Sequence, residues 1–246
     1  LWRLLGLVAH SVQAAEGRIP IYQVGNFITA PGRYIVTQSL VGTGATPIIE
    51  TNGVGIDIDL NGFDLNNGPG PAAVILIANG NAVIHDGSLH GGGQGIDTPQ
   101  GLSLTYRNLL IANSGGDGIR GGTLARIEHV VILNPGANGI HLLSGSSNNV
   151  ITDVTVDHAP GNGIRFDGVI NSRIVGCNIN FSGSHAIELT AGSAVDIVES
   201  NELVYGSADG IVLSGASAVL VSKNFVTSSG NGINVLPGSS YAAIRD

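Results

Sequence analysis

Apolar and polar residues alternate along this chain in short bursts of roughly three to seven residues, each bounded by Gly, Asn, Ser or Asp. Alternation of this kind puts successive side chains on opposite faces of a strand. The bursts recur. A Gly-Ile step opens one at Gly95-Ile96, Gly118-Ile119, Gly139-Ile140, Gly163-Ile164, Gly210-Ile211 and Gly232-Ile233, and Ala186-Ile187 fills the vacant place. The mean step is about 23 residues. A second series, Phe63, Gly87, Asn108, Val130, Val154, Cys177, Asn201 and Asn224, drifts with the same period.

A unit of this length holds strands too short to bury a face on their own. Stacking solves the problem, because each strand pairs with its counterpart one coil away. The pattern therefore predicts an all-β fold, a right-handed single-stranded parallel β-helix. It should be a solenoid of about eight to nine coils, and right-handedness follows from the preference of parallel crossovers. A leucine-rich repeat has a similar period, but its L-x-x-L-x-L pattern is missing. The Ile of each Gly-Ile step should point inward, giving a column from Ile96 to Ile233. Asn201 and Asn224, with Asn108 further back, should form a column of turn amides, and Cys177 in that column reads as a small buried residue. Asp117, Asn138, Asn162, His185, Asp209 and Asn231 precede the steps and suit a left-handed turn.

Composition agrees. Glycine makes up 38 of 246 residues, hydrophobic residues 43% and charged residues only 11%, which excludes a disordered polyampholyte. The glycines follow no G-X-Y period, which excludes collagen. A net charge of −8 with scattered basic residues argues against nucleic-acid partners and a polybasic membrane patch. No apolar run reaches the length of a membrane span. One cysteine, Cys177, leaves no intramolecular disulfide.

Residues 18–65 contain Thr-Ala-Pro-Gly-Arg-Tyr at 29–34 and Asp-Leu-Asn-Gly-Phe at 59–63. Together with the Gly-Ile coils, this resembles secreted bacterial right-handed β-helix repeat proteins of the pectate-lyase-like superfamily. The resemblance implies an extracellular or cell-surface location. It covers nearly the whole chain and is specific for fold. Its members include lyases, hydrolases, epimerases and non-catalytic surface proteins, so it leaves function open. The polygalacturonase signatures N-x-D, D-D, G-H-G and R-x-K are absent. So are the alginate Asp-Pro-His and the pectate-lyase Trp-x-Asp-His. The chain has Asp157-His158, which a turn after Val156 explains, and its only Trp is Trp2.

Two domains are read: an amphipathic capping segment over 1–17, with a short helix, and the β-helix over 18–246. The alternative for the first is the tail of a signal peptide. The last residues, Tyr241–Asp246, begin a new strand, and self-association through coil ends is expected.

Candidate chemistry sits in the outward column beside the isoleucines: Asp97, Arg120, His141, Arg165 and Glu188, joined by Asp167. Asp97 with Arg120 and Arg165 with Glu188 should pair across coils. This face could bind an acidic or neutral glycan, or be a solvated ladder of ion pairs. His141 and Arg165 are the weak catalytic candidates. Asp57 and Asp59 point outward together and could touch Ca²⁺, but one strand offers too few ligands, so surface solvation is expected and no cofactor is read. The sparse aromatics, several of them predicted inward, weaken a sugar-stacking module. The reading favours a structural or adhesive scaffold able to assemble end to end. The alternatives are a polysaccharide-active enzyme and a non-catalytic glycan-binding module.

Overall fold

The computed structural model describes residues 17–228 and 230–245. It is a parallel β-solenoid of about nine turns. Every pairing between strands of successive coils is parallel, and all the strands belong to one continuous hydrogen-bonded system. No helix occurs among the described residues. The capping segment read over 1–17 lies outside the described residues apart from Gly17.

Each coil contributes three strands. In a middle coil these are Ile140–Leu142, Val150–Thr152 and Thr155–Asp157. The first strands stack in strict register: Ile96 sits beside Ile119, Ile119 beside Ile140, Ile140 beside Ile164, and so on to Ile233. From Ile96 to Ile211 these isoleucines are fully buried, as the inward column requires. The second and third strands add two further columns, Tyr106-Ile127-Ile151-Ile174 and Ile111-Ile132-Val156-Ile179. Three dry columns make one continuous core.

The glycine of the Gly-Ile step has a steric cause, not a torsional one. A Cβ added at Gly163 would lie 2.2 Å from Ile179 Cγ2 and 2.7 Å from the Ala186 carbonyl oxygen. Gly95, Gly118, Gly139 and Gly210 meet Ile111, Ile132, Val156 and Val226 in the same way. Each partner is β-branched. In the coil where alanine replaces the glycine, Ala186, the corresponding third-strand residue is Leu203, which carries no methyl on its Cβ. The exception therefore explains the rule.

Left-handed residues also fall in columns, but not where the sequence suggested. One column turns each coil from second to third strand: Asp86, Asn108, His129, Asp153, Ser200 and Lys223 all have φ between 52° and 61°. Asn108 belongs there, one position before the interior column that Leu109 occupies. A second column follows the third strand: Asn113, Asn134, His158, Phe181 and Tyr205. The residues before the Gly-Ile steps do not have positive φ. They hydrogen-bond along the rod instead: Asp117 Oδ1 accepts from the Asn138 amide at 2.9 Å, Asn138 Oδ1 from that of Asn162 at 2.9 Å, and Asn162 Oδ1 from that of His185 at 3.0 Å. A side-chain oxygen aimed at the next coil's N–H does this without an unusual backbone.

Buried polar ladders behave similarly. Asn201 Oδ1 accepts from the Cys177 amide at 2.9 Å, and Asn224 Oδ1 accepts from the Asn201 amide at 3.0 Å and from Asn201 Nδ2 at 2.9 Å. Burial pushes the Cys177 thiol up to about 12, so it is inert at neutral pH. Asp196 is the exception: its Oδ1 accepts from the Ser172 amide at 2.8 Å, but Oδ2 is buried without a hydrogen-bond partner. Burial raises this carboxyl to about 7.

Two predictions follow from these contacts. Gly163→Ala should cost about 1–3 kcal/mol through overpacking, and adding Ile179→Leu should recover much of it. A thermal double-mutant cycle without coupling would refute the steric account. Because the Asp196 carboxyl is raised in the folded chain, its stabilisation is full below its ordinary carboxylate value and is lost as pH rises through about 7. Asp196→Asn should therefore gain in relative melting temperature between about pH 5 and pH 8; a pH-independent difference would contradict this.

Candidate functional site

The outward column of the first sheet carries the chemistry. Alternation turns the residue after each inward isoleucine to the outside, and the register places Asp97, Arg120, His141, Arg165 and Glu188 on five successive coils. All five lie on one face. Three adjacent positions are basic, which would repel one another if left alone. Acids enter from both flanks: Asp117 from the turn before the column and Asp167 from the residue after Phe166.

His141 lies between these two. Its Nδ1 is 3.2 Å from Asp117 Oδ2, and its Nε2 is 2.8 Å from Asp167 Oδ2. Arg165 Nε donates to Asp167 Oδ1 at 2.9 Å, and its Nη1 is 3.5 Å from Glu188 Oε2. Arg120 Nη1 donates to Asp97 Oδ1 at 3.2 Å. Both expected cross-coil pairs thus form. Neutral donors fill the remaining sites: Asn138 Nδ2 donates to Asp117 at 2.8 Å, Thr190 Oγ1 to Asp167 at 3.0 Å and Asn162 Nδ2 to Glu188 at 2.9 Å.

The sequence reading assigned Asp117, Asn138 and Asn162 to turns alone. Their second role was available in the period, because Asp117 lies one coil before His141. Residues joined in this way are neighbours in the network as well as in the turn ladder.

The electrostatics divide the carboxyls. Burial raises Asp97, with a contribution from the negative charge of Asp117, although Arg120 opposes the rise. Asp117 is lowered: burial opposes ionisation, but hydrogen bonds from His141 and Asn138 outweigh it. Asp167 is lowered by His141, Arg165 and Thr190, again against desolvation. The hydrogen bond to Asp117, and the one to Asp167, raise His141 against the effect of burial. Neighbouring carboxyls pushed apart in this way are suited to separate acid and base roles.

Away from this face, Asp57 and Asp59 are not solvated as expected. His85 bridges Asp57 at 3.0 Å and Asp86 at 2.6 Å, while Arg18 holds Asp59 at 2.6 Å. Donor atoms of Asp59, His85 and Asp86 lie within 4.8 Å of one another. Arg18 and the His85 ring already occupy these carboxylates, so the group is a hydrogen-bonded cluster and not a preformed cation cage. The Asp157-His158 pair sits at a turn, as read, with His158 at φ 56°. Its ring stacks on Phe181 at 4.6 Å, and Phe181 stacks on Tyr205 at 5.1 Å. Phe181 and Tyr205 are exposed, unlike the inward Tyr106 and Phe166. Within the stack the rings cover one another's faces, which leaves edges for solvent and makes the ladder chiefly a coil-to-coil contact.

The family model described as "Right handed beta helix region" matches residues 104–246. The chain belongs to this family. Among solved structures it is similar to tailspike protein 2 of an Escherichia coli O157:H7 bacteriophage, with 14% identity and a TM-score of 0.54. That match covers 93% of this chain and 38% of the tailspike, so the chain spans about two fifths of that protein's length. An alginate lyase from Paenibacillus matches at 14% identity and TM-score 0.50, covering 88% of this chain and 93% of the lyase. The catalytic domain of a GH87 α-1,3-glucanase, solved with nigerose, matches at 10% identity and TM-score 0.56, covering 92% of this chain and 61% of that one. At these identities the likeness is one of fold. No match is found among curated proteins. No helix of the described residues is long and apolar enough to cross a membrane.

The raised His141 gives a pH test. Its imidazolium stabilises the network fully below the ordinary histidine value, and that stabilisation is lost as pH rises through the raised folded value. His141→Gln should therefore lose melting temperature relative to the parent on the acid side and converge with it in alkali. A constant gap would show that the imidazolium contributes no charge to the network.

Proposed function

We propose that this chain is a polysaccharide-active β-helix protein whose saccharide site is the outer face from Asp97 to Glu188. One observation carries the reading: the outer face gathers four acids around Arg120, His141 and Arg165 in one part-buried network, with His141 held between Asp117 at 3.2 Å and Asp167 at 2.8 Å and Arg120 on Asp97 at 3.2 Å, and within it Asp97 and Asp117 are displaced in opposite directions. A structural rod needs no such arrangement, since any polar residue would serve on its outside. Fold neighbours that include an alginate lyase and a glucanase solved with a sugar support the polysaccharide-active reading over the scaffold.

The chemistry is glycosidic-bond hydrolysis. Asp97 keeps its proton to higher pH and donates it to the leaving oxygen. As the glycosidic C–O bond breaks, a water oxygen bonds to the anomeric carbon and its proton passes to Asp117, which His141 and Asn138 hold ionised. His141 and Arg165 are positioning residues: the first orients Asp117 and Asp167, and the second anchors Asp167 and Glu188.

Activity should fall as pH rises through the raised Asp97 value, because the proton donor is then spent. Asp97→Asn and Asp117→Asn should each reduce the release of reducing ends by about 10²–10⁴-fold, with melting temperature near that of the parent for Asp97→Asn and lowered for Asp117→Asn, which loses the charge that His141 meets. If the parent chain releases no reducing ends from a panel of plant, algal and microbial polysaccharides, the hydrolytic reading is wrong.

A further inference from the structure

We infer that the polymer taken by this face is uncharged, a neutral glycan and not a polyuronate. This rests on the polysaccharide-active reading and narrows it to a substrate class.

Recognition of a uronate chain requires cationic groups free to meet its carboxylates. This face has none to spare. Arg120 is held by Asp97 at 3.2 Å, and Arg165 reaches Asp167 at 2.9 Å and Glu188 at 3.5 Å. Both ring nitrogens of His141 meet carboxylates. Three acids, Asp117, Asp167 and Glu188, balance Arg120, Arg165 and a protonated His141, so the face has no net positive charge while Asp97 holds its proton and is negative once Asp97 ionises. A β-elimination would need the substrate's carboxylate neutralised here, and this charge balance opposes it. The whole chain, at −8, repels a polyanion further.

The adjoining surface agrees. The turn that carries Asp117 also carries Gly115, which lines a groove of about 430 Å³ with Asn66, Gly68, His90, Gly92 and Asn113. No arginine or lysine lines it, and its one basic ring, His90, lies 3.4 Å from Asp64. Amides and glycine backbone supply both donors and acceptors, which suits hydroxyls that are donor and acceptor at once. Gly115 is two residues before Asp117 in the chain, so a polymer held in this groove would meet hydroxyl-binding groups there.

Affinity electrophoresis of the full chain tests this, in gels carrying neutral polymers (α- and β-glucans, mannan, galactan) or polyuronates (polygalacturonate, alginate). Retardation is expected with at least one neutral polymer, unchanged by salt up to about 0.5 M, and with neither polyuronate. Salt-sensitive retardation by a polyuronate would overturn the neutral class while leaving the polysaccharide-active reading intact. Retardation by none of the polymers would overturn both. Asp167→Asn combined with Glu188→Gln frees Arg165, and this variant, checked for folding by its melting temperature, should gain polyuronate affinity by about tenfold. If the folded variant gains none, the charge argument fails. Should the double variant not fold, Glu188→Gln alone must show the gain in the same direction.

Discussion

Parallel pairing of each coil with the next is the constraint on which the rest of this molecule depends. Strands in adjacent coils lie about 4.8 Å apart, and the isoleucine step keeps its register from Ile96 through Ile233, although the strand after Ile119 shifts between Gly121 and Thr123. A residue's nearest neighbours are therefore the residues one period before and one after it. Inside the rod this rewards identity, because like side chains stack without voids. On the outside it rewards alternation of charge, because like charges would lie one strand spacing apart. The isoleucine column obeys the first rule; in the Asp97–Glu188 column three adjacent basic residues break the second, and acids from the flanks, Asp117 and Asp167, supply the missing charge.

That constraint also explains which features were legible in the sequence. The inward isoleucines, the amide ladder of Asn201 and Asn224, the buried Cys177 and the Asp97–Arg120 and Arg165–Glu188 pairs could all be read, because each needs only the period and the alternation of strands. The turns were read less well. Asn and Asp before a glycine suggested left-handed backbone at Asp117 and Asn138, but a side-chain oxygen bonding to the next coil's amide uses the same residue types with ordinary torsions. The positions that do turn left-handed include Phe181, Val195 and Tyr205, which no single-residue preference would select. They are set by the bend of the coil, and the coils on either side hold them there. For the same reason the exposed Phe181 and Tyr205 escaped a reading that sent aromatics inward.

The steps before the isoleucines show how a local choice is fixed at a distance. Gly163 has no positive φ to require glycine. What requires it is Ile179, sixteen positions on in the sequence and in direct contact in space, whose Cγ2 methyl fills the room a Cβ would need. Where leucine stands at the equivalent position, alanine is accommodated. Such pairs cannot be recognised from either residue alone, only from the two columns compared coil by coil.

The candidate site is built from the same geometry with one change. Elsewhere on the rod outward residues make single contacts with a turn residue, such as Asn234 Nδ2 donating to Asp209 Oδ2 at 2.7 Å. At His141, Asp117 from one turn and Asp167 from the following strand end converge on a single ring, so the ladder becomes a closed network with half-buried charges. Burial raises the cost of leaving any member unpaired, and here His141, Arg165, Asp117, Asp167 and Glu188 are each held by two or more partners, while Arg120 and Asp97 hold each other. The strain of the arrangement falls on Asp97, which has one arginine at 3.2 Å and the negative charge of Asp117 nearby. Among the carboxyls of the network Asp97 is the one raised, and the proposed acid role falls to it for that reason.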